Sequence, residues 1–292
     1  MIDNEIIVQG CPQNNSKSGV SHPNGIRTFH RTFSPTELTM SCRLKDKVAM
    51  VTGAGSGIGR ATALAYAREG AKVVVADINS PSAQETVNRI QGAGGAAIGV
   101  RCDVTNAQDV RALIDHTLDA FGRLDCAYNN AGIEGPMFSI DAYDEDAFDQ
   151  VIAVNLKGIW LCMKHEVRAM LQSGRGVVVN AGSVVSTLGQ PKMAAYVASK
   201  HAVLGLTRSA ALEYADRGLR FNAVCPAIVA TPMLDRFTGG DEKIAQSLTI
   251  NYPIKRILRA EEVAEAVVWL SSDATSYLNG HALMLDGGFS IQ

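Results

Sequence analysis

Tyr196 and Lys200 lie four residues apart in the stretch AAYVASKHAV, so on a helix they share one face. An ammonium beside a phenol favours the phenolate and lowers a pKa that is ordinarily about 10. Such a pair supplies a general acid/base near neutral pH. Tyr-x-x-x-Lys arises readily by chance in a chain of this size, so its meaning depends on its neighbours. Ser183 stands one loop upstream, directly after the apolar run VVVNAG. Asn155 sits inside the helical pattern VIAVNLKG, where Asn is a poor helix former, and it reads as a local break with a function. Asn155, Ser183, Tyr196 and Lys200 are the candidate catalytic residues.

A second constellation could hold a ligand. Val48 to Gly59 reads VAMVTGAGSGIG: a short apolar run, four glycines (Gly53, Gly55, Gly57, Gly59), then a helical pattern from Arg60. Strand, glycine turn and helix is the context of a phosphate-binding loop, because a turn without Cβ atoms lets backbone N–H groups and the helix dipole approach a pyrophosphate. Asp77 ends the next apolar run, KVVVAD. A carboxylate there can accept both hydroxyls of an adenosine ribose and would repel a 2′-phosphate. No Lys or Arg occupies Ala54, Ser56 or Ile78, so the expected cofactor is NAD rather than NADP. Asn129-Asn130-Ala131-Gly132 closes a further strand-like run, at the carboxyl edge where open α/β sheets bind ligands.

The elements that must position these residues alternate in type. Strands are expected over 48–52, 72–77, 96–104, 124–129, 176–181, 219–225 and 282–285. Helices are expected from Arg60, over 81–90, 106–121, about 144–172, about 194–215 and 261–270. Alternation at this spacing implies right-handed crossovers and one parallel sheet with helices on both faces. Nothing after residue 44 reads as a repeat or a linker, so residues 44–292 are expected to be a single domain. Residues 1–43 are rich in Asn, Ser, Thr, Gly and Pro without sustained periodicity, and are expected to be a disordered, dispensable leader. Met40 stands just before the ordered pattern begins.

These residues together resemble the short-chain dehydrogenase/reductase family, in its branch of about 250 residues. The family's TGxxxGIG stands at Thr52 to Gly59, so Gly53, Ser56, Gly57, Ile58 and Gly59 match its cofactor turn. Its NNAG stands at Asn129 to Gly132, its mid-helix Asn at Asn155, its catalytic Ser at Ser183 and its YxxxK at Tyr196 and Lys200. The resemblance implies a Rossmann-type doubly wound sheet of about seven strands. It implies that Tyr moves the alcohol proton, Ser orients the carbonyl, Lys holds the nicotinamide ribose and Asn supports a water relay. By the same resemblance Asp103 and Val104 flank the adenine, Asn130, Ala131 and Gly132 line the cofactor, and Val229 and Thr231 contact the carboxamide. It also implies a homotetramer, or at least a homodimer. Two positions depart from the pattern. Ala181-Gly182 replaces the Ser usual before the catalytic Ser, and Pro226-Ala227 replaces a Pro-Gly near the nicotinamide.

Composition excludes several other classes. A formal charge of −2 offers no electrostatic case for nucleic acid or an anionic membrane. No apolar run approaches the ~20 residues that span a bilayer. The six cysteines show no metal-ligand spacing and read as free thiols of a cytoplasmic protein, with no metal site expected. No Gly-x-Ser-x-Gly elbow supports a serine hydrolase. The substrate is expected to be an alcohol or ketone, apolar or alicyclic, because Met137, Phe138, Leu188, Met193, Met233, Leu234 and Phe237 fall around the candidate site. The competing expectation is a catalytically weak sensor or scaffold that keeps the dinucleotide loop.

Overall fold

In this computed structural model the described residues are 42–292. The expectation of a dispensable leader concerns residues outside them. Arg43, counted with the leader from sequence, is tied to the domain: its guanidinium donates to Glu69 Oε1 at 2.7 Å and its backbone N–H to Glu69 Oε2 at 3.1 Å.

Seven parallel strands form the main sheet in the order β3-β2-β1-β4-β5-β6-β9. They are β1 (Val48–Thr52), β2 (Lys72–Asp77), β3 (Ala97–Arg101), β4 (Cys126–Asn129), β5 (Gly176–Ala181), β6 (Leu219–Pro226) and β9 (Ala282–Leu285). The strand order reverses between β1 and β4, which opens a crevice beyond their carboxyl ends. Apolar runs become parallel strands here because both faces are covered. Ala49 and Val51 of β1 face one core layer, with Tyr66, Val87 and Val263, while Met50 faces the other, with Leu113, Met163 and Phe221. Helices α1 (Gly57–Arg68), α2 (Ser80–Gly92) and α9 (Ala260–Ser271) cover the first face. Helices α3 (Ala107–Phe121), α5 (Gly158–Ser173) and α6 (Ala194–Tyr214) cover the second.

Three of the differences from expectation have a local cause. β3 stops at Arg101, because Asp103 turns the chain by accepting from Thr105 N at 2.9 Å and Asn106 then caps α3. β4 begins at Cys126, because the Asp125 carboxylate, not the strand ladder, receives Val48 N at 2.9 Å. The expected helix over about 144–172 is α4 (Glu145–Ile152) and α5, joined by one π-helical turn, Ala153–Lys157. Asn155 is in that turn, the break its residue type signals.

Candidate functional site

The crevice is built from strand ends and the first turn of α1. Gly53 and Gly57 hold φ of +63° and +52°, a region that side chains rarely adopt, and so let the turn fold back under the helix. Gly59 is buried beneath it, and a Cβ there would lie 2.6 Å from Asn130 Nδ2 and closer still to the Gly53 carbonyl. Ser56 at the N-cap makes no side-chain bond into the helix, and no acid lies in its first turn. The first N–H groups are thus left for an anion. Asn130 locks the turn from the neighbouring strand: its Nδ2 donates to the carbonyls of Thr52 at 2.9 Å and Gly53 at 3.1 Å. Asp77 Oδ2 accepts from Gly55 N at 2.8 Å, placing the acid beside the turn.

A cavity of about 360 Å³ lies over these elements. Gly53, Ser56, Gly57, Ile58, Asp77, Asp103, Val104, Asn130, Ala131, Gly132 and Thr231 all line it. Gly59 lies behind the turn, while Pro226 and Val229 stand away from the cavity, in β6 and in the short β7 (Val229–Ala230). Thr231 closes the far side, 3.3 Å from where a Gly57 Cβ would be. It caps α7 (Pro232–Thr238), which with α8 (Glu242–Ser247) lies in a stretch for which no element was expected from sequence.

Outside the lining of this cavity, α6 brings Tyr196 and Lys200 together. Lys200 Nζ is 5.6 Å from the Tyr196 ring centre and donates to the Ala181 carbonyl at 2.7 Å. Lys200 is buried, which pushes its pKa down to about 8. Burial also raises the Tyr196 phenol, while contact with the Ser183 hydroxyl opposes that rise and the Glu134 carboxylate adds to it. The expectation that the ammonium lowers the phenol's pKa is therefore not met here: desolvation dominates both groups, and the ammonium is spent on a carbonyl. Ser183 starts a 3₁₀ turn, Val184–Ser186, in a reciprocal cap with Ser186. Gly182 has its own reason: a Cβ there would lie 2.6 Å from Cys225 Sγ, so the Ser usual at this position would not fit.

Asn155 is fully buried and its amide is engaged on both sides. Oδ1 accepts from Ile133 N and Nδ2 donates to Ile133 O, both at 2.8 Å, and Nδ2 also reaches Ser199 Oγ at 3.2 Å. Ser199 Oγ in turn donates to the Tyr196 carbonyl at 2.7 Å. The structure thus makes Asn155 a bracket between the NNAG loop and the Tyr–Lys helix, rather than a group facing water.

Sequence reasoning missed three features. Arg60, just past the glycine turn, donates to the Gly55 carbonyl, so a cation does reach the turn; Glu85 Oε2 pairs with it at 2.9 Å. Arg236 of α7 lines the cavity and pairs with Glu134 at 3.3 Å, spanning the crevice mouth. Gln150 and Val154 also line the cavity. Only Arg60 had a sequence signal, its adjacency to the turn. Among the apolar residues expected at a pocket, Met233 lines the cavity, and a bond from Phe138 N to Lys192 O at 3.1 Å draws the loops carrying Met137 and Met193 together. Among the described residues no cluster of His, Cys, Asp and Glu could hold a metal, and no helix is long and apolar enough to cross a membrane.

Comparison with known proteins adds a further layer. A family model described as "Enoyl-(Acyl carrier protein) reductase" matches residues 53–290. The chain is 43% identical to 2,5-dichloro-2,5-cyclohexadiene-1,4-diol dehydrogenase of Sphingobium indicum, over 85% of this chain and 98% of that protein. It is 39% identical to the cyclohexanol dehydrogenase of an Acinetobacter species, over 87% and 99%. Among solved structures it is similar to one assigned as an NAD(P)-dependent gluconate 5-dehydrogenase of Beutenbergia cavernae, with NADP bound at low occupancy. That match has a TM-score of 0.81 and 36% identity, and covers 86% of this chain and all of the other.

Proposed function

The chain belongs to the short-chain dehydrogenase/reductase family of oxidoreductases, and from that premise we propose that it is a cytoplasmic, NAD-dependent enzyme interconverting an alicyclic secondary alcohol and its ketone. The observation that carries this reading is the meeting of Tyr196, Lys200 and Ser183 beside a glycine-lined crevice whose helix end is left uncapped. A nicotinamide dinucleotide, when bound, supplies or accepts the hydride. Gly53, Ser56, Gly57, Ile58 and Gly59 would hold its pyrophosphate, Asp77 its adenosine ribose, and Asp103 and Val104 its adenine. Asn130, Ala131, Gly132, Pro226, Val229 and Thr231 would border its nicotinamide half. Tyr196 exchanges a proton with the substrate oxygen, and Ser183 hydrogen-bonds that oxygen. Lys200 holds the ribose and carries positive charge near the phenol. Asn155 acts by position, keeping Ile133 and the Tyr–Lys helix in register. The exposed apolar side chains of Met137, Phe138 and Phe237 suit a ring without charges, and two relatives are named for such alcohols. A panel of cyclic secondary alcohols, read by NADH absorbance, tests the reading. Turnover of cyclohexanol-like rings supports it. NAD binding without turnover of any alcohol or ketone would favour the sensor or scaffold.

Cofactor choice has its own test. Asp77 lines the crevice, and Glu85 pairs with Arg60, which reaches the turn. A charged hydrogen bond gained or lost at the ribose is worth about 1.5–3 kcal/mol, or roughly ten- to a hundredfold. We expect kcat/KM with NAD to exceed that with NADP by about that factor on one substrate. Equal or better use of NADP refutes the preference.

A homotetramer, or at least a homodimer, completes the proposal; nucleic acid and membrane are not partners in it. Leu212 is 84% exposed on α6 and Trp160 44% exposed on α5, an apolar surface that a second copy would cover. Light scattering at micromolar concentration is expected to give at least twice the chain mass of 31.0 kDa. A particle of the chain mass overturns the assembly.

A further inference from the structure

Beneath the crevice lies a buried polar chain that the proposed reaction does not use. Glu166 of α5 is fully buried, and Met163 and Met170 on the same helix are buried as well. Its Oε2 accepts from Asn129 Nδ2 at 3.1 Å, and the same nitrogen donates to Asn180 Oδ1 at 3.0 Å. Asn180 Nδ2 then donates to Thr207 Oγ1 at 3.0 Å, and Thr207 Oγ1 donates to the Val203 carbonyl at 2.7 Å. Along this run two buried atoms lack a partner, Glu166 Oε1 and Asn129 Oδ1. They belong to the same two side chains, on the opposite arms from the bond those side chains already share.

One proton satisfies both. Carried on Oε1 and donated to Asn129 Oδ1, it closes a ring in which the amide gives one hydrogen bond and the acid gives the other. A carboxylate cannot do this, since two acceptors would face each other in the core at the full cost of unpaired buried polar atoms. We propose that Glu166 is a neutral carboxylic acid in the folded protein at neutral pH, paired in this ring with Asn129, and that the pair positions the end of β4 under the crevice. Asn129 is the last residue of β4, and Asn130 beside it ties down the glycine turn.

The surroundings agree with a neutral acid. Among the described residues no Lys or Arg acts on the carboxyl; burial pushes it up to about 8, and the Asn129 bond opposes. The titratable groups near it are the Cys162 thiol on the same helix and Cys102 beyond, and burial keeps both thiols neutral. Asn129 and Asn180 reach it from β4 and β5, and Thr207 from α6, all uncharged.

Because the folded-state value lies above the usual 4.5, the stabilising contribution is complete below about 4.5 and is lost as pH rises through about 8. Glu166→Gln keeps the ring with an N–H in place of the O–H and removes the titration. Relative to Glu166→Gln, the parent's folding constant is expected to fall about tenfold per pH unit between those limits and to be level above them. Infrared difference spectra, parent minus Glu166→Gln, should contain a protonated-carboxyl band at pH 7. Carboxyl carbon NMR of the parent alone, labelled at Glu, should show one group still protonated at pH 7, and this needs no variant to fold. Only carboxylates at pH 7, or equal pH slopes in parent and variant, would overturn the neutral acid. The positioning role rests on the dinucleotide reading and is tested by NADH fluorescence. The parent should lose affinity above pH 8 more steeply than Glu166→Gln, a comparison that cancels the titration of Lys200. Parallel affinity curves overturn the positioning role, while the spectroscopic result stands apart from cofactor and catalysis.

Discussion

Tyr196→Phe is expected to lower turnover by at least about 10²–10⁴-fold, the range of a positioned general acid/base, while leaving the fold and NADH binding in place. The substitution removes one hydroxyl and almost no volume. The local structure of α6 depends on the Tyr196 carbonyl, which holds Ser199, and not on the phenol. Initial rates and NADH fluorescence on the same preparation separate chemistry from binding. Parent-like turnover on any identified substrate would refute the mechanism. The pH dependence has a sign as well. Burial holds the phenol above its ordinary value, so oxidation, which needs the phenolate to take the alcohol's proton, should quicken as pH rises. Reduction needs the phenol as donor and should be favoured at lower pH. Opposed profiles in the two directions are the expected result.

Gly59→Ala is expected to have the largest effect of any single methyl added to this chain's crevice. The new Cβ would press on the Gly53 carbonyl and come within 2.6 Å of Asn130 Nδ2. Neither can retreat, since Gly53 is the turn itself and Asn130 is bound to two of its carbonyls. Overpacking of this kind costs about 1–3 kcal/mol, and the rigid backbone contact puts it toward the upper end. The melting temperature should fall by roughly 5–10 °C for a domain of this size, with loss of NADH binding. Gly92→Ala, in α2, is the control for the entropy of losing a helical glycine, because its φ is not positive and a Cβ there meets no atom within 4 Å. If both substitutions behave alike, the close approach at Gly59 does not matter.

Much of this architecture was legible before any coordinates. Strands buried on both faces must be apolar throughout, so runs such as Val73 to Ala76 and Val177 to Val179 announce themselves. Residues that end those runs fall at the carboxyl edge by topology alone, which is why Asp77, Asn130 and Ser183 could be assigned to one region. Short elements carry too little periodicity: β7 and β8 (Leu258–Arg259) are two residues each, and α7 and α8 are two turns or less. The environment of a charge is also silent in sequence. Glu166 reads as an ordinary helix surface acid beside Lys164 and Arg168, yet its face turns inward and its neighbours do not. Lys200 was placed correctly on the face of Tyr196, but its bond to the Ala181 carbonyl depends on how far β5 runs, which spacing does not encode.

The π-helical turn at Ala153–Lys157 bears on how this region can change length. In that turn Gly158 N reaches back to the Ala153 carbonyl, five residues away instead of four, so the turn holds one residue more than an α-helix needs. It behaves as an insertion absorbed without a loop. Deleting one residue there would restore a continuous α-helix and leave α4 and α5 facing nearly as they do now, since the wide turn takes up its extra residue without turning the flanks. Val151 would stay buried, and the change would fall on the turn itself, where Asn155 bonds Ile133. A stretch that looks like uninterrupted helix thus holds one residue more than its length in space requires, and its two halves must be aligned with relatives as separate blocks.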